Sequence, residues 1–239
     1  MENQSLNSKP VRLQKVLIGK AAPLADGPHL SAINKTPVEG LVQVGTLGLE
    51  GDQQADRQHH GGIDKSIHHY ATEHYAFWIQ TLGAEYRKRF LVGGFGENFS
   101  TMGMTESNVC LGDRYQIGTA ILEVSQARQP CWKLNQRFGC DELSTLCQTY
   151  IKTGWYYRVL REGVLKAGDS LVLIDRPLPD WPLERLLRIL YHTPLNTDEL
   201  EALYQQTQLA DSWKKTIARR LETGKVEDWL PRLYNLKDN

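Results

Sequence analysis

The chain has 239 residues, and its 28 Lys and Arg balance 28 Asp and Glu to a formal net charge of +0. That balance argues against a broad electrostatic grip on a nucleic-acid polymer, and no apolar run approaches the ~20 residues of a membrane-spanning helix. The four cysteines have no CxxC spacing, which argues against a zinc finger or an iron–sulfur loop.

Met1 to Pro10 is polar, with no apolar h-region, and reads as a flexible tail and not as a signal peptide. The cysteines are then expected as reduced thiols, and the chain as a cytoplasmic one. Val11 to Ile18 alternates apolar and polar residues like a strand. Ala32 to Val38 and Leu41 to Val44 are short and β-like, around a tight turn at Glu39-Gly40. Gly45 to Asp64 is too polar and glycine-rich to bury itself, so it is a solvated loop or the lining of a site. Its glycines let backbone N–H groups approach an anion, and Arg57 and Lys65 add charge.

Ser66 to Tyr70 reads as a strand and Glu73 to Thr81 as a helix. His59, His60, His68, His69 and His74 invite a zinc site, but neighbours on a strand point to opposite faces, and no HExxH is present. Gly93 to Ser100 forms a glycine-rich turn carrying Glu97 and Asn98; Asn98 either caps the turn or touches a ligand. Asp113 to Gln116 and Ala120 to Val124 make a hairpin around Gly118. After it comes Ser125-Gln126-Ala127-Arg128-Gln129-Pro130-Cys131-Trp132-Lys133-Leu134-Asn135. Pro130 stiffens the entry to a helix whose Leu134 and Phe138 share one face. Arg128 and Lys133 flank Cys131, and such cations favour thiolate over thiol. Cys131 is therefore either a reactive thiol or one more small buried hydrophobe.

Asp141 to Tyr150 reads as a short helix, and Gly154 to Leu160 and Ser170 to Ile174 as strands. Pro177, Pro179 and Pro182 then mark a boundary. Beyond it the pattern becomes helical. One helix carries Leu183 to Tyr191, a second follows a cap at Thr197, and a third opens at Ser212. Lys214, Lys215, Arg219 and Arg220 make the last one basic, either as a solvated face or as a dock for an acidic partner.

Pro130 to Leu134 resembles the cysteine signature of MOSC domains, named for the C-terminal domain of molybdenum-cofactor sulfurase. His60-Gly61-Gly62-Ile63-Asp64-Lys65 and Gly96-Glu97-Asn98 are similar to two further motifs of that family. The three terminal helices are similar to the extension of its bacterial group that confers resistance to 6-N-hydroxylaminopurine. The resemblance implies a β-rich α+β fold: a distorted, closed β-barrel over residues 11–177, then a three-helix extension over 182–239. The departures are small. Gln129 and Trp132 fill variable positions, and His59 stands where an apolar residue precedes the His-Gly-Gly.

The resemblance also implies the molybdenum cofactor (Mo-molybdopterin), with Cys131 as the molybdenum ligand. Arg57, His60, Gly61, Gly62, Lys65, Asn98 and Arg128 would contact the cofactor or substrate. The implied reaction reduces N-hydroxylated purines and amines, R–NHOH to R–NH2, with Cys131 at its centre. His60, Asp64 and Glu97 are the candidate proton donors, His60 and Asp64 foremost. With no GxGxxG after a strand and no iron–sulfur array, electrons must come from an external flavin or iron–sulfur reductase. The remaining partners are the small N-hydroxylated substrate and, as one arrangement left open, a second copy in a homodimer; neither a nucleic-acid polymer nor a membrane is expected. Two other readings stand beside this one: a metal-free cysteine or sulfur-transfer enzyme, and a carrier module for the cofactor.

Overall fold

The computed structural model describes residues 9–25, 27–56 and 61–236. Fourteen short strands are defined among them: β1 (Val11–Arg12), β2 (Lys15–Gly19), β3 (Ala22–Pro23), β4 (Leu30–Ser31), β5 (Lys35–Pro37), β6 (Val42–Gly45), β7 (Gly48–Leu49), β8 (Ile67–Ala71), β9 (Phe99–Thr101), β10 (Arg114–Ile117), β11 (Ala120–Ala127), β12 (Trp155–Arg161), β13 (Gly163–Leu165) and β14 (Ser170–Asp175). Nine of them form one sheet in the order β1-β14-β10-β11-β12-β8-β9-β2-β5, beside a three-stranded sheet β13-β6-β7 and the pair β3-β4. The large sheet curls into a half-barrel and, with its helices, gives the expected α+β fold. Pro37 sits in edge strand β5, where a missing N–H donor costs no ladder bond.

Among the described strands only β8 and β9 pair in parallel, and the crossover between them carries α1 (Glu73–Leu82). The β10–β11 hairpin turns at Gly118, whose φ of +54° and close approach leave no room for a side chain: an added Cβ would lie 2.1 Å from the Val164 carbonyl oxygen. After β11 come α2 (Lys133–Phe138) and α3 (Leu143–Thr149). Leu134 and Phe138 are fully buried on one face of α2, as their spacing predicts. They join an aromatic cluster with Tyr70, Tyr75, Trp78, Phe90 and Phe95, in which Phe90 stacks on Phe138 at 4.3 Å. This cluster backs the Cys131 loop.

The C-terminal part holds α4 (Leu183–Tyr191), α5 (Thr197–Tyr204), α6 (Asp211–Thr223) and α7 (Leu230–Tyr234). The sequence pattern predicts the first three; α7 is too short to show a period. Leu183, Leu186, Leu187, Leu203, Trp213 and Ile217 are buried in the same apolar cluster as Val124, Trp155 and Tyr157 of the sheet, so sheet and helices share one core. The cap of α5 is Asn196 and not Thr197, because the Asn196 side-chain oxygen accepts from the Glu199 N–H at 3.2 Å. Asn196→Ala is expected to cost about 1 kcal/mol in urea denaturation.

Candidate functional site

The half-barrel delivers Cys131 to the wall of a depression. β11 ends at Ala127, the Arg128 N–H donates to the Gly154 carbonyl at 2.9 Å, and the chain turns through Pro130 into α2. Cys131 is 7 % exposed. Two cavities meet there. The inner one, about 80 Å³, is lined by residues that include Lys35, Asp52, His68, Asn98 and Arg128. The outer one, about 730 Å³, is lined by residues that include His29, Gln126, Trp132, Ser212 and Arg232. Asp56, Lys65, Cys131, Lys133 and Tyr156 belong to both.

The surroundings are cationic and incompletely hydrogen-bonded. Arg128 is 5 % exposed, yet its Nη1 is buried with no hydrogen-bond partner among the described residues, and the same holds for His68 Nε2. An unpaired buried donor costs about 1–3 kcal/mol, so such atoms point to a ligand that satisfies them. Burial, with the Arg128 charge beside it, pushes the His68 imidazole well below its ordinary value and keeps it neutral. Arg128 lies close enough to Cys131 and Cys147 for its charge to act on both thiols. Burial nevertheless pushes the Cys147 thiol up, and it pushes Cys110 up to about 11, so both are inert protonated thiols. The Lys65 ammonium is pushed below the usual lysine value by burial, against the attraction of Asp64 and Asp56. Lys133 Nζ lies 3.6 Å from Asp56, and the Lys35 ammonium is paired with Asp52.

The residues expected from sequence fall into three groups. Cys131, Arg128, Lys65 and Asn98 come together around the cavities. Gly61 and Gly62 line a neighbouring depression with Leu47 and Gln53. Arg57, His59 and His60 lie outside the described residues. The Asp64 carboxylate turns away, onto Arg158 at 2.8 Å, and lines neither cavity. Glu97, fully buried, accepts from the Tyr75 hydroxyl at 2.5 Å and from the Gly93 and Phe95 N–H groups at 2.6 and 3.1 Å; it holds the turn and does not face the site.

Asn98 both lines the inner cavity and ties strands together. Its Oδ1 accepts from the His68 N–H at 3.0 Å, while its Nδ2 donates to the Leu17 carbonyl at 3.1 Å and to Asp52 Oδ2 at 2.9 Å. Lys35, Asp52 and His68 went unselected in the sequence as site residues. The visible signal for them was a lysine, an aspartate and a histidine inside or beside apolar strands, where a charge needs a partner.

The C-terminal helices supply a wall that the sequence did not reveal. The Trp132 N–H donates to the Arg232 carbonyl at 2.8 Å, and the Arg232 guanidinium donates to the Pro130 carbonyl and to Gln148 Oε1. Asn135 Nδ2 donates to the Leu233 carbonyl at 2.9 Å. The α7 turn thus grips both sides of the cysteine.

The MOSC domain profile matches residues 56–172, and that of the YiiM-like 3-alpha helix domain matches residues 181–224. The chain belongs to the MOSC-domain family, in the group that carries the YiiM-like helical extension. It is 39 % identical to protein YiiM of Escherichia coli (strain K12) over 219 residues, 92 % of this chain and 96 % of that one. The crystal structure of YiiM from Escherichia coli superposes with a TM-score of 0.81 at 33 % identity, covering 95 % of this chain and 100 % of that one. A protein of Gibberella moniliformis (strain M3125 / FGSC 7600) described as a reductase is 33 % identical over 96 % of this chain, which spans 40 % of that longer protein. Among the described residues no helix is long and apolar enough to cross a membrane.

Proposed function

We propose that the protein is a reductase of N-hydroxylated purines and amines that works with the molybdenum cofactor. The observation that carries this reading is the cysteine at the seam of two cavities, next to a buried guanidinium whose Nη1 has no partner among the described residues. Membership of the MOSC family and the fungal relative described as a reductase support it.

The donor set suits the cofactor. A cysteine sulfur is a soft ligand appropriate to molybdenum, and Arg128, Lys65 and Lys133 offer cationic donors to an anionic phosphate. Arg57, His60, Gly61 and Gly62 complete the proposed contact set, with Asn98 holding the strands that carry it. When bound, the cofactor supplies the two-electron chemistry, and the protein orients and shields it. The overall change is R–NHOH + 2 e⁻ + 2 H⁺ → R–NH2 + H2O. An external flavin or iron–sulfur reductase provides the electrons. With Asp64 on Arg158 and Glu97 in its turn, Lys65, which lines both cavities with Cys131 and whose pKa burial lowers, is our candidate for the group that holds a proton there.

The test uses protein purified from a host that makes molybdenum cofactor, beside Cys131→Ala. Near-stoichiometric molybdenum and pterin in the wild type, molybdenum lost in the variant, and reductase-coupled turnover of 6-N-hydroxylaminopurine only in the wild type are expected. Molybdenum retained by Cys131→Ala refutes the ligand assignment. Cysteine-dependent activity without molybdenum would favour the metal-free reading.

A further inference from the structure

The outer cleft contains groups that the proposed chemistry does not use. Gln126 lines it and is 2 % exposed. The β11–β12 register shifts between Val124 and Gln126, a bulge of the kind that re-aims side chains beside active sites. The C-terminal helices fasten that bulge from outside: the Ala210 N–H donates to the Ser125 carbonyl at 3.1 Å, and the Ser212 hydroxyl donates to Gln126 Oε1 at 3.1 Å.

The Gln126 oxygen accepts from Ser212, and no hydrogen bond runs from its Nε2 to a described residue. A primary amide has two donor hydrogens to place. Here they belong to a side chain on the wall of a cleft. Also lining the cleft are Trp132 and His29, an edge-on pair with ring centroids 4.9 Å apart. Its volume of about 730 Å³ is that of a small-molecule site.

We propose that the outer cleft reads a flat, fused-ring nitrogen heterocycle, laid against Trp132 and recognised by a hydrogen bond from Gln126 Nε2 to a ring nitrogen or carbonyl oxygen. Ser212 of α6 is the positioning residue that fixes the amide. The function of the helical extension is then to set what the cleft accepts. A purine substrate and the pterin of the cofactor share this chemistry; the inference rests on the proposed function only for naming those two sources. A site built to donate a hydrogen bond rejects a compound that cannot accept one, so an aliphatic hydroxylamine gains nothing from Gln126.

The experiment compares full-length wild type, Gln126→Leu and Ser212→Ala, each from a cofactor-producing host. Pterin content is measured, and adenine, an unreactive purine, is titrated by calorimetry. If the heterocycle is substrate, pterin content stays level and the Kd for adenine rises roughly tenfold in Gln126→Leu, with a smaller rise in Ser212→Ala. If it is the pterin, content falls in the same order and adenine does not bind. Both results support the proposal.

Unchanged pterin content and unchanged adenine affinity in both variants overturn it. So does a wild type that neither holds pterin nor binds adenine. Should Gln126→Leu melt below the wild type, Ser212→Ala decides alone, since Ser212 is exposed on a helix. Adenine binding needs no molybdenum, so a Gln126-dependent affinity in molybdenum-free protein keeps this inference, while the reductase reading stands or falls on the Cys131→Ala test.

Discussion

Glu106→Ala is expected to destabilise the protein by about 3–5 kcal/mol, because it removes the shared acceptor of three buried hydrogen bonds. Glu106 is 2 % exposed. One of its oxygens lies 2.7 Å from His74 Nε2, and the other accepts the N–H groups of Thr153 at 2.8 Å and Gly154 at 2.7 Å. Burial alone would push its carboxyl up, but His74 and those N–H groups hold it below the usual value, so it is ionised at neutral pH. Alanine leaves three buried donors without an acceptor. Glu106→Gln keeps an oxygen for the two N–H groups and should cost about 1–3 kcal/mol. Urea denaturation at pH 7 measures both, and a loss below about 1 kcal/mol for the alanine variant would refute the account. The damage should extend to the site, because the Gly154 carbonyl accepts from the Arg128 N–H.

Acid should weaken the fold well above the carboxylate range. His69 is fully buried, its Nδ1 2.9 Å from the Tyr157 hydroxyl and its Nε2 2.8 Å from Thr101 Oγ1, and burial pushes its pKa down from 6.5 to about 3. The unfolded chain therefore takes up a proton that the folded chain refuses. Stability is full above about pH 6.5 and is lost as pH falls from there towards about 3. Between pH 7 and pH 4.5 this one residue should remove about 2.5 kcal/mol. His68, lowered in the same direction, adds to the loss. Urea midpoints at pH 7, 6, 5 and 4.5 should fall steadily, and His69→Gln should remove about 2.5 kcal/mol of that dependence. A flat profile from pH 7 to 4.5 in the wild type would refute it.

Much of the fold was legible because burial leaves a period in the sequence. The strand at Ser170 to Ile174, the helical spacing of Leu183 to Tyr191 and the pair Leu134 and Phe138 each appear as read, whereas Val11 to Ile18, read as one alternating strand, is split into β1 and β2, with Val16 and Leu17 both buried. Two-residue strands such as β1, β3 and β7, and the five-residue α7, are too short to carry a period, and only tertiary contacts define them. In the site, Cys131 and Arg128 were legible from local sequence because they sit in one segment. Asp64 and Glu97 looked like proton donors because a sequence displays a carboxylate but not its partner; Arg158, Tyr75 and two backbone N–H groups take them. Arg232 is remote in the chain and nothing local marks it, and Lys35 shows only as a charge beside apolar strands; Gln126 sits in the cysteine segment itself, but its place on the cleft wall depends on the register shift in β11.

The grip of α7 on the cysteine loop bears on the order of events during synthesis. Arg232 stands 102 residues after Pro130. At the usual ~5–20 residues per second, a ribosome needs about 5–20 s to make that stretch, and longer to release it. Late in that interval the strands and Cys131 have been made, while the segment that fixes Pro130 and Trp132 has not. A nascent or prematurely ended chain therefore presents an unbraced thiol.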